Sequence, residues 1–155
     1  MIRRHAIARI AALAALLLAF GCDAADTAPM VATGGGGYTV SFDTDPAPLP
    51  LNEHFSMRVS VAELSDAVPT DLAVRVDATM PLHGHGMNVT PTVSAEGPGL
   101  FLVEGMLFHM PGMWRLVVTV GVGDAAEEAV FEVEVTEDGG RVVSLSGPRR
   151  ALAAA

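Results

Sequence analysis

The chain of 155 residues has one cysteine and no lysine. A single thiol excludes an intrachain disulfide, so any folded domain must be held by packing alone. Beyond Cys22 stand all 18 acidic residues and only six arginines, which puts that part of the chain near −12. Such a surface repels phosphate backbones, which sets nucleic acid aside as a partner. No stretch after residue 22 sustains a helical period for three turns. A Gly-X-Ser-X-Gly elbow, a His-Glu-X-X-His helix and a phosphate loop are all missing. The commonest hydrolase, zinc-protease and nucleotide chemistries are thereby excluded, and the chain reads as a non-enzyme.

The N-terminus carries its own message. Arg3, Arg4 and Arg9 precede an uncharged apolar stretch of 11 residues, Ile10 to Phe20. That length suits a secretory signal peptide and is too short for a mature membrane span. It ends at Ala19-Phe20-Gly21-Cys22, where a small residue directly before the only cysteine resembles the lipobox of a bacterial lipoprotein. Residues 1–21 are therefore expected to be a signal peptide and Cys22 the lipidated residue. A soluble exported form cut near Ala24 or Ala25 is the alternative.

Residues 22–37, rich in Ala, Asp and Thr and ending in four glycines, read as a flexible tether. Residues 137–155 carry Gly139-Gly140, Pro148 and a run of alanines and read as a disordered tail, although Val142, Val143 and Leu145 suit one more short strand. About a hundred residues remain between them, enough for one domain.

Within residues 38–136 the apolar positions recur with period two. Phe55, Met57, Val59 and Val61 alternate with Ser56, Arg58 and Ser60, and Leu72, Val74 and Val76 alternate with Arg75 and Asp77. Further strands are predicted at Tyr38–Thr44, Val89–Ala95, Leu100–Phe108, Trp114–Val122 and Ala129–Thr136. Asp124–Ala129 suits a single helical turn or a hairpin. Seven or eight short strands predict an all-β, immunoglobulin-like antiparallel β-sandwich, with a small open barrel as the alternative. Trp114 is the expected packing aromatic of the core.

What the chain does have is a concentration of soft ligands. Three of the four histidines and five of the seven methionines after Cys22 fall between Met80 and Met113. They form two knots, Met80-Pro-Leu-His83-Gly-His85-Gly-Met87 and His109-Met110-Pro-Gly-Met113-Trp114. Imidazole with thioether favours copper, Cu(I) above all. Zinc would leave the methionines unused, and calcium or magnesium would need oxygen donors that the knots lack. In an extended segment His83, His85 and Met87 share one face.

The candidate metal ligands are His83, His85, Met87 and His109, with Met80, Met110 and Met113 as possible additions. Against this stands a purely structural use, since methionine fills cores and Pro81 and Pro111 end strand pairing. Met57 and Met106 read as core fillers, and His54 as an exposed residue at a strand entry.

The two knots, with Gly99-Leu-Phe between them and Arg-Leu-Val-Val after Trp114, resemble the YtkA-like domain, which is related to FixH. The resemblance covers residues 38–136. It implies a small immunoglobulin-like sandwich exported from, or anchored in, a bacterial membrane. It also implies a partner engaged in copper handling or cytochrome oxidase assembly. The resemblance carries no fixed ligand set. FixH has a membrane-spanning helix, whereas this chain would rely on a lipid at Cys22.

A looser likeness is to periplasmic copper carriers of the PCuAC type. Met87 and His109 are separated by 21 residues as in that pattern, but the closing His-X-Met is absent. The expected function is an envelope lipoprotein that handles copper. A scaffold of an envelope complex, with the knots as packing, is the competing expectation.

Overall fold

The computed structural model describes residues 28–64 and 68–146. The expected signal peptide, Cys22 and residues 147–155 lie outside this range. Among the described residues ten strands form: β1 (Met30–Ala32), β2 (Tyr38–Asp45), β3 (His54–Glu63), β4 (Val74–Met80), β5 (His85–Gly86), β6 (Thr92–Gly97), β7 (Leu100–Leu107), β8 (Gly112–Val120), β9 (Glu127–Thr136) and β10 (Gly139–Ser146).

They make two five-stranded sheets, ordered β1-β2-β3-β7-β6 and β10-β9-β8-β4-β5, and every pairing is antiparallel. The order β2-β3-β7-β6 facing β9-β8-β4 is that of the two sheets of an immunoglobulin-type sandwich. The expected fold class is the one observed. Its strand count exceeds the expected seven or eight because short β1 and β5 and the C-terminal β10 flank that frame.

Alternation along the strands builds the core. β4 runs buried–exposed from Val74 to Met80, with Val74, Val76, Ala78 and Met80 inside. Trp114, Leu116, Val118 and Val120 do the same on β8, and Phe131, Val133 and Val135 on β9. From the first sheet, Val40, Phe42, Phe55, Met57, Val59, Phe101 and Val103 face them. Phe42 and Phe131 meet across the sheets edge to face, their centroids 4.9 Å apart. Trp114 is fully buried, 5.0 Å from Phe108, and Met57 and Met106 fill the core as expected. His54 is exposed at the start of β3.

Two expected boundaries are corrected. Residues 28–37 are not a free tether, because β1 pairs with β2 and the glycine run closes onto β9. The Glu127 carboxylate sits inside that run, where it accepts hydrogen bonds from the Thr33 hydroxyl and from the Gly37 amide (3.0 Å). The Gly34 amide donates to the Glu128 carbonyl at 3.1 Å. A Cβ at Gly35 would lie 2.3 Å from Glu127 Oε1, so the glycine here admits a carboxylate rather than providing slack.

The second correction concerns residues 137–146. Asp138-Gly139 turns the chain into β10, which pairs along β9 as far as Val130. The Thr136 hydroxyl closes this turn on the Gly139 carbonyl at 2.9 Å. Glycines that read as a breaker are a hairpin signal.

Smaller differences follow the same logic. The sixth strand begins at Thr92 rather than Val89, past Pro91, which has no amide to offer a ladder. The segment after β8 is both things expected of it, a single 3-10 turn at Gly123–Ala125 inside a hairpin.

A candidate metal centre at one end of the sandwich

The two His/Met knots arise from separate places in the fold. The first is the turn leaving β4, and the second is the crossing from β7 in one sheet to β8 in the other. Because β4 and β8 are neighbours, with Thr79 opposite Arg115, the end of β4 lies beside the start of β8.

The first knot is not extended. The amides of His83 and Gly84 both donate to the Met80 carbonyl at 3.0 Å, folding Pro81–Gly84 into a turn with Gly84 at φ +70°. The chain then re-enters the sheet, where His85 pairs with Met80 and Gly86 with Thr79. The Met87 amide continues the ladder to the Ala78 carbonyl at 3.1 Å. His85 and Met87 therefore share the inner face, whereas His83 belongs to the turn. The expectation of one face for His83, His85 and Met87 is met by the last two only.

The second knot is held by the indole. Trp114 Nε1 donates to the Met110 carbonyl at 2.9 Å, which fixes the crossing against the buried ring. Gly112 adopts φ +130°, and a Cβ there would stand 2.9 Å from Met80 Cε. This close approach lets the second knot settle on the first.

The result is a row of imidazoles. His83 and His85 centroids are 5.7 Å apart, and His85 and His109 centroids 5.2 Å apart. Trp114 presents an edge-on contact to His109 at 5.3 Å and to His85 at 6.2 Å. Exposure falls along the row, from exposed His83 to half-buried His85 and His109.

A metal–nitrogen bond of about 2.0 Å plus about 1.2 Å to the ring centre places each centroid about 3.2 Å from a shared ion. Two ligand rings then lie between about 4.5 and 6.4 Å apart for ligand angles of about 90° to 180°. Both observed separations fall in that window, near about 125° for His83/His85 and about 110° for His85/His109. The same spacings also suit ring stacking, so the nitrogens carry the distinction.

His85 Nδ1 lies 3.2 Å from the Gly86 carbonyl. A proton there leaves Nε2 with its lone pair bare, the arrangement that orients a ligating histidine. His109 Nδ1 is buried and meets no hydrogen-bond partner among the described residues. A buried nitrogen left unpaired costs about 1–3 kcal/mol, which a ligand would offset. Among the described residues no hydrogen bond or ion pair links a carboxylate to any of the three rings.

The rings do not close into a three-histidine site. Among the described residues no group of three or more His, Cys, Asp or Glu side chains is placed to hold one ion. The row offers two imidazoles at a time, and any further donor must be a thioether or an incoming ligand. Such sparse, soft coordination suits Cu(I) better than zinc.

The methionines divide sharply. Met87 and Met110 are half-buried and packed on the core. Met80 is 1% exposed and fills the core against Gly112. Met113 follows the alternation of β8, opposite to Trp114, and so lies on the outer face beside Glu134. The alternation of β8 thus sets Met113 on the face away from the core, whereas Met80, though core-packed, is the cross-strand partner of His85.

What the sequence did not assign to the site is Trp114 itself. Its spacing from His109 across a Pro-Gly turn was the available signal. A groove of about 530 Å³ lies elsewhere, on the outer face of the second sheet between Arg75, Asp77, Thr79 and Glu128, and contains no histidine or methionine.

Compared with known proteins, the chain matches no family model, no curated protein and no solved structure. Fold and site geometry therefore carry the functional reading.

Proposed function

We propose that this protein is a non-catalytic cell-envelope lipoprotein whose YtkA-like, FixH-related domain binds copper at one end of the sandwich. His85 and His109 are its principal ligands, His83 extends the site to the surface, and Met87 is the nearest thioether candidate. The observation that supports this reading is the row of three imidazoles, drawn from two distant segments, with His85 at centroid separations from both neighbours that a shared ion could bridge.

Neutral imidazole and thioether ligands add no charge to Cu(I), so the ion is held reversibly, as storage or transfer requires. Anchored through lipid on Cys22, the domain would face the periplasm or exterior. There it would meet a copper-handling or oxidase-assembly partner.

The competing reading is a scaffold of an envelope complex in which the knots only pack. It is favoured by the burial of Met80 and by the core contacts of Met87 and Met110. The two separate in one experiment, a competition titration with bicinchoninate of the full chain carrying Cys22→Ser, so that no thiol binds metal. The copper reading expects one Cu(I) per chain, with affinity falling by at least about tenfold in His85→Ala. Equal affinity in wild type and His85→Ala would leave the scaffold.

A further inference from the structure

Three features of the histidine row bear on how an ion enters and leaves it. First, the row does not converge, since His85 neighbours two rings while no three His, Cys, Asp or Glu side chains share a point among the described residues. Second, the outer ring is set in a turn. His83 is exposed, and Leu82 beside it is 88% exposed, so the Pro81–Gly84 segment stands clear of the sandwich. Third, the inner ring is fixed. His109 is half-buried with an unpartnered Nδ1, its ring 5.3 Å from Trp114, and the crossing that carries it is tied by the indole bond to Met110.

Building on the copper reading, we propose that the row is two overlapping half-sites sharing His85: an exchange site, His83/His85, and a holding site, His85/His109. His85 would hold the metal through Nε2 in both half-sites when its Nδ1, 3.2 Å from the Gly86 carbonyl, carries the proton. The bond from the metal to His83 breaks as the bond to His109 forms, and the reverse step presents the ion outward. The ion keeps its charge and oxidation state, and no proton need move if both incoming nitrogens hold bare lone pairs.

The exchange partner is any donor able to supply a soft ligand at the open position left by His83, a thioether or thiolate among them. The half-buried holding site gives affinity, while the exposed turn gives rate. His85, common to both half-sites, would hold the ion while its neighbour changes, so the ion is never released bare. Removing the outer histidine should therefore slow exchange more than it weakens binding, because the holding pair is untouched.

The test uses the full chain carrying Cys22→Ser, loaded with Cu(I), and follows transfer to bicinchoninate by stopped-flow absorbance alongside the equilibrium titration. His83→Ala is expected to slow transfer by about tenfold or more while weakening binding less than His109→Ala does, and His109→Ala to lose affinity by at least about tenfold. Circular dichroism of each variant confirms the sandwich.

Affinity lost equally in His83→Ala and His109→Ala would overturn the division into two half-sites. An unchanged transfer rate in His83→Ala would overturn the exchange role while leaving the copper site standing. Absence of one-to-one Cu(I) binding by the parent chain would remove both.

Discussion

Replacing Gly35 with alanine sets a docked loop against a slack one. The new Cβ would fall 2.3 Å from Glu127 Oε1 and 2.5 Å from its carboxyl carbon. A carboxylate ends a flexible side chain and can move aside, but here it accepts from the Thr33 hydroxyl and the Gly37 amide. Thr33 is only 4% exposed, so water cannot easily replace the lost partner. Hydrogen bonds to a charged group contribute about 1.5–3 kcal/mol each, and Glu127 is half-exposed, so losing both costs about 2–3 kcal/mol in total. For a domain of this size that lowers Tm by roughly 8–20 °C.

Glu127→Ala removes the same bonds without the clash and should cost a similar amount. The double variant should then be no worse than either single one, a coupling of about 2 kcal/mol. Urea unfolding followed by the fluorescence of buried Trp114, the only tryptophan, measures all three. A Gly35→Ala chain within about 0.5 kcal/mol of wild type, or additive single effects, would refute the docked loop.

Trp114→Phe should destabilise by about 2–4 kcal/mol, through lost volume and an unpaired Met110 carbonyl, read by circular dichroism in urea. Met80→Ala should cost about 2–5 kcal/mol, while Met113→Ala should cost under about 1 kcal/mol. Under the copper reading neither shifts Cu(I) affinity beyond about threefold, which a chelator titration checks. Cu(I) at about 100 times its Kd should stabilise the chain by about 2.7 kcal/mol, and His85→Ala should abolish the gain. Chelating the metal should leave the far-ultraviolet spectrum unchanged, because packing alone holds the sandwich.

Much of the fold is legible residue by residue. Val74, Val76 and Met80 turn inward and Arg75 and Asp77 outward because successive side chains on a strand must oppose one another. The same rule, counted from Trp114, already sets Met113 on the outer face, although composition alone had grouped it with the histidines. The glycine run before Tyr38 was harder to read. Glycine serves equally as slack and as space, and only Glu127, ninety positions away, decides between them. Gly139 likewise reads as an ending until its partner strand is present to make it a turn.

The sequence by itself determined the class of fold and the supply of soft ligands. Alternation is a local property, and so is a count of histidines and methionines. Only the tertiary structure decided which of those ligands meet. His85 and His109 are 24 positions apart and join because β4 and β8 pair in register, while Gly112 lets the crossing close on Met80. His83, two residues from His85, keeps its ring 5.7 Å from that of His85, while backbone bonds to the Met80 carbonyl set it in a turn exposed to solvent. Spacing along the chain accounts for His83 beside His85, but only strand pairing and packing bring His109 to them.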